Sequence, residues 1–332
     1  MPSDKLLVGM MMRIEGQVSE VLARTRVVEF ATITPKGTLS TRPMRKLWSP
    51  ERDQIILTTP PAFPQKIYNV RRDGRVAVLF SDPTGTGLTD PPAILVQGRA
   101  IAPHTVVLPE EIPDYWRELF DGFSWPSVQE LESEQFQRTM DWYFWRLAVY
   151  VTPERVRVLP GCEAGGAAEP PLPQPSAPLA VRVRDALERY PTGVLTGRDD
   201  DGWPCAVRAT ITAATDGNSY LVKPVESVPV ASGPASLLWH RQGAPLTRQL
   251  SKQRVRWGEW SELLVFGAVS AGREQLVFTP ERVFTGPFRR GATRDSGWSG
   301  RYRNTALDYL RRHNIDPPQI NWQSLVTYAT PQ

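Results

Sequence analysis

The stretch LAVYVTPERVRVLPG at residues 147–161 has a near copy in QLVFTPERVFTGP at residues 275–287. Both contain the run Thr-Pro-Glu-Arg-Val, which begins at Thr152 in the first copy and at Thr279 in the second. Five identical residues in a row are improbable by chance, so the chain is predicted to repeat one structural unit. The β-branched and aromatic residues around each run indicate that each unit ends in a strand.

Two more pairs of segments extend the repeat toward the N-terminus of each unit. These pairs are FATITPKGTLSTRP (30–43) with VLTGRDDDGWPCAVR (194–208), and ILVQGRA (94–100) with LVFGAV (264–269). The distance from the last glycine of the second pair to the Thr-Pro-Glu-Arg-Val run is 54 positions in the first unit and 12 in the second. The first unit therefore carries about 42 extra residues, at about 103–146, whose aromatic periodicity predicts helices that cover the barrel or its site.

The remaining elements of the first unit are short and closely spaced. Pattern and turn residues predict a hairpin of strands 27–34 and 38–48, a strand at Gln54–Thr59, a helix at Pro64–Arg72 and strands at Arg75–Phe80 and Ala93–Ala102. This order lacks the alternation of strand and helix that builds a parallel sheet. We therefore expect a small antiparallel barrel in each unit, in a protein that is mainly β with α (α+β).

Composition narrows the classes of protein. The chain has 332 residues and a net charge of +4, from 39 Lys and Arg against 35 Asp and Glu, which argues against a dedicated nucleic-acid-binding protein. Two cysteines and three histidines without ligand spacing make a zinc site improbable. No apolar stretch is long enough for a membrane span and the N-terminus lacks a secretion signal, so we expect no membrane and a cytoplasmic location.

The chain divides into four predicted regions. They are an N-terminal domain at 1–160, a Pro/Ala/Gly-rich linker at 161–178, a C-terminal domain at 179–290 and a basic helical tail at 291–332. The linker is assigned because it contains almost no residues that form a core.

One candidate site lies where the third strand meets its helix. Thr58 and Thr59 end the strand, and the helix that follows carries Gln65, Lys66 and Asn69. Helix N-termini and nearby lysines bind anions, so this junction suits a phosphate. The same cations are also compatible with a solvated helix face, and the cluster alone leaves both interpretations open.

A second candidate is the strand that contains Arg42, Pro43, Met44 and Arg45. The backbone of such a strand can hydrogen-bond the polar edge of a flat heterocycle, while Met44 or Trp48 packs on its plane. An ordinary edge strand with arginine facing outward and methionine inward fits the same residues.

Taken in order, the segments of residues 30–102 resemble the flavin-binding split-barrel superfamily, which includes the pyridoxamine 5'-phosphate oxidase-like proteins and the deazaflavin-dependent reductases. The resemblance rests on FATITPKGTLSTRPMRKLW, on QIILTTPPAFPQKIYNVRRDGRVAVLFSD and on ILVQGRA. It implies two tandem antiparallel split β-barrels, the second degenerate. It also implies a cofactor site made of Arg42, Pro43, Met44, Arg45, Thr58, Thr59, Gln65, Lys66 and Asn69.

The function implied by this resemblance is a flavin mononucleotide (FMN)-dependent oxidoreductase acting on an unidentified small molecule, or one that uses a deazaflavin coenzyme. A non-catalytic flavin, deazaflavin or haem carrier is the alternative. The helical insertion around Trp142 and Trp145 is expected to close over the substrate face. No catalytic acid or base is assigned.

Departures from the family pattern shape the remaining expectations. The second unit has Leu221-Val222-Lys223-Pro224 at the end of its third strand and lacks the Gln-Lys pair, so we expect it to bind no cofactor of its own. Because family members commonly dimerise, it would serve as an intrachain partner, a pseudo-dimer, with a homodimer also possible. The motif for pyridoxamine phosphate recognition is missing. His240 in SLLWHR is a weak candidate haem ligand, and a structural role is the simpler interpretation.

Overall fold

The computed structural model describes residues 7–8, 14–122, 126–161, 177–190, 192–226, 228–241, 261–272, 275–284 and 298–330. Most of the predicted linker, including Cys162, and the first residues of the tail lie outside the described residues. No helix of the described residues is both long and apolar enough to cross a membrane.

The first half of the chain contains seven strands and five α-helices among the described residues. They are β1 (Leu7–Val8), α1 (Gly16–Arg24), β2 (Val27–Ile33), β3 (Leu39–Ser49), β4 (Gln54–Thr59), α2 (Gln65–Arg72), β5 (Arg75–Phe80), β6 (Ala93–Ile101), a 3₁₀ helix (Pro109–Glu111), α3 (Pro113–Gly122), α4 (Val128–Glu132), α5 (Glu134–Phe144) and β7 (Leu147–Leu159). The hairpin, the helix and the strands predicted from the sequence are all present.

The second half repeats the pattern of strands and contains three helices among the described residues. Its elements are α6 (Leu179–Arg189), β8 (Gly193–Arg198), β9 (Pro204–Ala213), β10 (Tyr220–Pro224), β11 (Gly233–Arg241), β12 (Ser261–Ala271), β13 (Leu276–Phe284), α7 (Trp298–Arg312) and α8 (Trp322–Ala329). The predicted helical tail therefore contains two helices within the described residues.

Both halves form closed, six-stranded antiparallel barrels with the same strand order. The first barrel runs β7-β4-β3-β2-β5-β6 and closes by pairing β6 with β7. The short strand β1 pairs with the C-terminal half of β7. The second runs β13-β10-β9-β8-β11-β12 and closes in the same way. Replacing β2–β7 by β8–β13 converts one order into the other. The predicted fold of two tandem antiparallel barrels is confirmed.

A glycine and a β-bulge recur at the same place in both barrels. The register shifts next to Gly98, which pairs with Pro153, and next to Gly267, which pairs with Pro280. A Cβ atom on Gly98 would overlap the carbonyl oxygen of Thr152, and one on Gly267 would overlap that of Thr279. Each Thr-Pro-Glu-Arg-Val strand thus passes too close to its neighbour for any side chain larger than hydrogen.

The two barrels pack face to face in a reciprocal arrangement. Strand β3 contacts β8, β11 and β12, and its counterpart β9 contacts β2, β5 and β6. Small and aliphatic side chains of the first barrel join the core of the second; they are Ala31, Ala77, Leu79, Ala93 and Leu95. The Thr41 hydroxyl donates to Thr196 across the interface at 2.7 Å. The chain is therefore an intrachain pseudo-dimer.

A buried carboxylate links the barrels at the same interface. Glu29 is fully buried and accepts hydrogen bonds from Arg208 at 2.8 Å and from Ser81 at 2.9 Å. His240 Nε2 lies 2.9 Å from the same carboxylate. A buried charge needs such partners, and these contacts give His240 a structural role between the barrels.

The helical insertion packs against the tail. Helix α5 contacts α7, and α3 and α4 contact α8. Trp142 and Trp145 are almost completely buried in this aromatic core, and Trp145 Nε1 donates to the carbonyl of Pro318 at 2.9 Å. Their rings are covered by the protein itself and lie in the core of the insertion, and closure of the insertion over a substrate face stays a prediction.

Candidate anion-binding site

The end of β4 and the start of α2 form one corner of the first barrel. Thr58 and Thr59 are buried at the end of β4, and the Thr59 hydroxyl donates to the carbonyl of Phe63 at 3.2 Å, which holds the turn. Pro64 precedes the helix, and no side chain caps the helix start. The first backbone N–H groups of α2 thus point out of the helix without a side-chain acceptor, which favours an anion.

Lys66 is the central cation of this corner. It is half-buried, and among the described residues nothing forms a hydrogen bond or an ion pair with its ammonium group. Burial, and then the positive charge of Arg42, lowers the pKa of Lys66 to about 8; Glu262 opposes this shift and Arg146 adds to it. A lysine in an environment with excess positive charge is stabilised by a bound anion.

Residues of the second barrel contact the site at Arg42, which lies on β3 of the first barrel. Its guanidinium donates to Glu262 at 2.6 Å and lies 3.6 Å from the centre of the Phe284 ring. Burial lowers the pKa of Arg42, and Glu262 partly offsets this. Because Glu262 lies near the start of β12 and Phe284 ends β13, the site lies at the interface between the barrels. Neither residue was singled out from the sequence.

Arg146 is a further cation that sequence reasoning missed. It precedes β7, and its backbone pairs with Val107. The residue is 3% exposed, and its guanidinium lies 4.8 Å from the centre of the Trp116 ring and 4.2 Å from that of Tyr143. Because Leu147 pairs with Thr59, Arg146 is adjacent to the end of β4. The sequence signal that could have identified Arg146 is its position between an aromatic helix and the repeated strand.

Tyr115 of α3 covers the buried side of this corner. It is 3% exposed. Burial raises the pKa of Tyr115, while the nearby Arg146 opposes the shift. The phenol therefore stays protonated and can donate a hydrogen bond.

The other predicted residues fall into two groups. Pro43 and Met44 are buried on β3, and burial lowers the pKa of Arg45 to about 10 while its Nη1 donates to the carbonyl of Arg26 at 3.3 Å. The amide groups of α2 instead bond to each other and to the barrel: Gln65 donates to Asn69 at 3.1 Å, and Asn69 donates to Thr32 at 3.0 Å. Asn69 therefore connects α2 to β2 by a hydrogen bond.

One edge of β3 beside the site is paired with a neighbouring strand over only part of its length. Strand β3 pairs with β4 only over Lys46–Ser49, whereas it pairs with β2 from Leu39 to Arg45. In the described part of the chain, the other edge of β3 at 39–45 has no strand partner, so its backbone groups can hydrogen-bond a ligand. In the second barrel β9 likewise pairs with β10 only over Ala209–Ala213, and the carbonyl of Arg208 accepts a hydrogen bond from the Val225 N–H at 2.9 Å.

The second barrel lacks the cations of the first. Both β2–β3 and β8–β9 are joined by five residues, 34–38 and 199–203, so Arg42 corresponds to Val207 and Arg45 to Thr210. When the two barrels are aligned by the pairing of β4 with β7 and of β10 with β13, Thr58 corresponds to Lys223 and Thr59 to Pro224. No helix follows β10 among the described residues 225–226 and 228–232, so Lys66 has no counterpart there.

Comparison with known proteins finds similarity at the level of structure. No protein-family model matches the chain. No curated protein matches it either. Among solved structures, a conserved hypothetical protein of Mycobacterium tuberculosis is 24% identical, with 48% of this chain and 95% of that chain covered and a TM-score of 0.33.

Two further solved structures have names that describe an activity or a family. One is an F420 reductase, 19% identical, with 43% of this chain and 98% of that chain covered and a TM-score of 0.31. The other is a Clostridium acetobutylicum protein related to general stress protein 26, of the pyridoxinephosphate oxidase family, 13% identical, with 42% and 84% covered and a TM-score of 0.28.

Proposed function

We propose that the first barrel binds a flavin mononucleotide in the cleft between the barrels and that the chain is a flavin-dependent oxidoreductase acting on a small molecule. The observation that supports this most directly is Lys66, a half-buried lysine that has no hydrogen-bond or ion-pair partner among the described residues and lies at a strand end and helix start near Arg42. A deazaflavin coenzyme is the second candidate for the same cleft.

The phosphate of the cofactor fits the corner formed by β4 and α2. Lys66 provides a full positive charge, the first N–H groups of α2 provide donors, and Thr58 and Thr59 provide hydroxyls at the strand end. Charge-assisted hydrogen bonds to a phosphate are about twice as strong as neutral ones. The corner has unmatched positive charge, which is what an anionic group requires.

The ring of the cofactor fits the open edge of β3. Among the described residues no strand pairs with Leu39–Arg45 on that side of β3, and Met44 and Pro43 supply apolar surface. Phe284 of the second barrel covers the Arg42 guanidinium next to it. These residues would position the ring and exclude water from one of its faces.

When bound, a flavin supplies hydride or electron transfer, and the protein contributes position and electrostatics. Arg42 and Lys66 would hold the negative charge, and the two barrels would keep the ring between them. Tyr115 is a protonated phenol at neutral pH, and burial raises its pKa further.

The experiment that tests this proposal is the addition of FMN to the purified protein, with thermal unfolding and flavin fluorescence as readouts. A ligand that prefers the folded state stabilises it by about 2.7 kcal/mol at 100 times its Kd. We expect FMN to raise the melting temperature and to be reduced by NADH, NADPH or a reduced deazaflavin. If neither FMN nor a deazaflavin changes the melting temperature, the proposal fails. Binding without any reduction would instead support the carrier function.

A further inference from the structure

Arg146 is a buried cation without an acceptor in the described part of the protein. Its Nε is buried and has no hydrogen-bond partner, and no carboxylate forms an ion pair with its guanidinium. The Trp116 and Tyr143 rings stabilise the charge through their faces but accept no ordinary hydrogen bond. Leaving such a donor unsatisfied is costly, so the arrangement lacks one anionic partner.

The position of Arg146 identifies where that partner would lie. The pairing of Leu147 with Thr59 places Arg146 next to the strand end that precedes α2. The positive charge of Arg146 also acts to lower the pKa of Lys66 and that of Tyr115. Lys66 and Arg146 therefore lie at the same corner of the first barrel.

The balance of charges indicates what the anion is. Arg42 is matched by Glu262, whereas Lys66 and Arg146 have no carboxylate partner among the described residues. Two uncompensated positive charges suit a group with two negative charges. A phosphate monoester carries about −1.5 to −2 at pH 7, with a second pKa near 6, whereas a phosphodiester has a single ionisable oxygen.

We propose that Arg146 is a second anion-binding residue of this site and that the group held between Arg146 and Lys66 is a dianionic phosphate monoester. This inference rests on the proposed function in taking FMN as the ligand. It goes further by stating the charge of the bound group, and it favours ligands that end in a phosphate monoester over phosphodiesters.

The test compares FMN with riboflavin, which has the same ring and no phosphate. We expect Arg146→Gln to weaken FMN binding at least tenfold and to leave riboflavin binding within twofold of the parent. Arg146→Lys, which keeps the charge, is expected to recover part of the loss. The control Arg117→Gln removes an exposed charge from the same helical insertion, where Arg117 pairs with Asp114, and should change neither affinity.

The pH dependence provides a readout that a merely structural role would not change. As the pH falls from 7.5 to 5.5 the phosphate takes up its second proton, so the parent should lose affinity for FMN and not for riboflavin. Arg146→Gln should lose less over the same range, because one of the two cations that select the dianion is missing. Equal FMN affinity in parent and variant at both pH values would overturn the inference, as would equal weakening of FMN and riboflavin.

Two outcomes separate this inference from the proposed function. If the parent binds neither FMN nor riboflavin, the flavin proposal fails, and inorganic phosphate becomes the probe. A larger rise in melting temperature with phosphate for the parent than for Arg146→Gln would still support the anion site, and equal rises would overturn it. If Arg146→Gln does not fold by circular dichroism, the same comparison is made with Arg146→Lys, for which unchanged FMN affinity would overturn the inference.

Discussion

The two barrels share their architecture and differ at the corner where the third strand of each ends. Both have the same strand order and the same bulge beside Gly98 or Gly267, and in both the second strand pairs with the third over only part of its length. Among the described residues, only the first has a helix directly after the third strand, with Lys66 on it. The packing of each barrel depends on the shared features, whereas the positive charge of the site depends on residues that packing does not require.

The second barrel nevertheless takes part in the site. Glu262 is the carboxylate that pairs with Arg42, and Phe284 covers the same guanidinium. The difference between the barrels is therefore a division of roles, in which one barrel provides the cations and the other provides the opposite side of the cleft.

Reversing the charge at Lys66 is expected to have the largest effect. Lys66→Glu should weaken FMN binding by at least 100-fold, about 3 kcal/mol, since a charge-assisted contact is replaced by repulsion. The matched control is Lys223→Glu in the second barrel, where an exposed lysine occupies the position of Thr58. A fluorescence titration checks both, and equal losses in the two variants would remove the distinction between the barrels.

Substitution of the two bulge glycines tests what the barrels share. Gly98→Ala and Gly267→Ala should each lower the free energy of unfolding by about 2 kcal/mol, because the new methyl group overlaps a carbonyl oxygen of the neighbouring strand. Gly300→Ala in α7 has open space around it and should not destabilise the protein. Urea unfolding measures all three, and a stable Gly267→Ala would show that the second barrel packs differently from the first.

Neutralising Glu262 tests the contribution of the second barrel. Glu262→Gln should tighten FMN binding about fivefold, roughly 1 kcal/mol, because Arg42 loses the carboxylate that offsets its charge. Glu281→Gln, at an exposed position of β13, serves as the control. Weaker FMN binding in Glu262→Gln would mean that the carboxylate positions Arg42 rather than competing with the ligand.

The titration of Lys66 is expected to have the smallest effect. Its pKa is lowered to about 8, so the fraction of charged ammonium falls as the pH rises through 8. FMN affinity should therefore drop about threefold between pH 7.5 and 8.5, with uptake of protons on binding in this range. Lys66→Arg keeps its charge and should bind with an affinity that does not change over the same range. A parent profile that is equally flat would contradict the assigned environment of Lys66.

The same lowered pKa has the opposite consequence for stability without ligand. The unfolded chain holds the Lys66 proton more tightly than the folded chain does, so the contribution of this residue to the free energy of unfolding rises from pH 8 to about 10.5. The difference in the free energy of unfolding between the parent and Lys66→Met, measured over this pH range, gives the contribution of Lys66. Binding and stability should thus change with pH in opposite directions.

Local patterns were enough to predict the barrels. The strands Gln54–Thr59 and Arg75–Phe80 have their predicted limits, because turn residues bound each apolar run, and the helix begins at Gln65 rather than Pro64. The repeated Thr-Pro-Glu-Arg-Val run marked the last strand of each barrel, since the close approach of its backbone to a glycine requires the same local sequence twice.

The parts of the site that were not predicted depend on distant contacts. Lys66 and Thr59 lie in one short segment, whereas the Arg42–Glu262 pair joins residues 220 positions apart. Arg146 reaches the site only because the insertion folds back before β7. The packing of Trp142 and Trp145 against the tail was not predicted, because the sequence pattern of an apolar helix does not show which element covers it.

The most direct test of the account is the number of FMN molecules bound per chain, measured by equilibrium dialysis at saturation. We expect one, because among the described residues the first barrel has the cationic corner and the second does not. Two FMN molecules per chain, or one that is retained with unchanged affinity in Lys66→Glu, would contradict it.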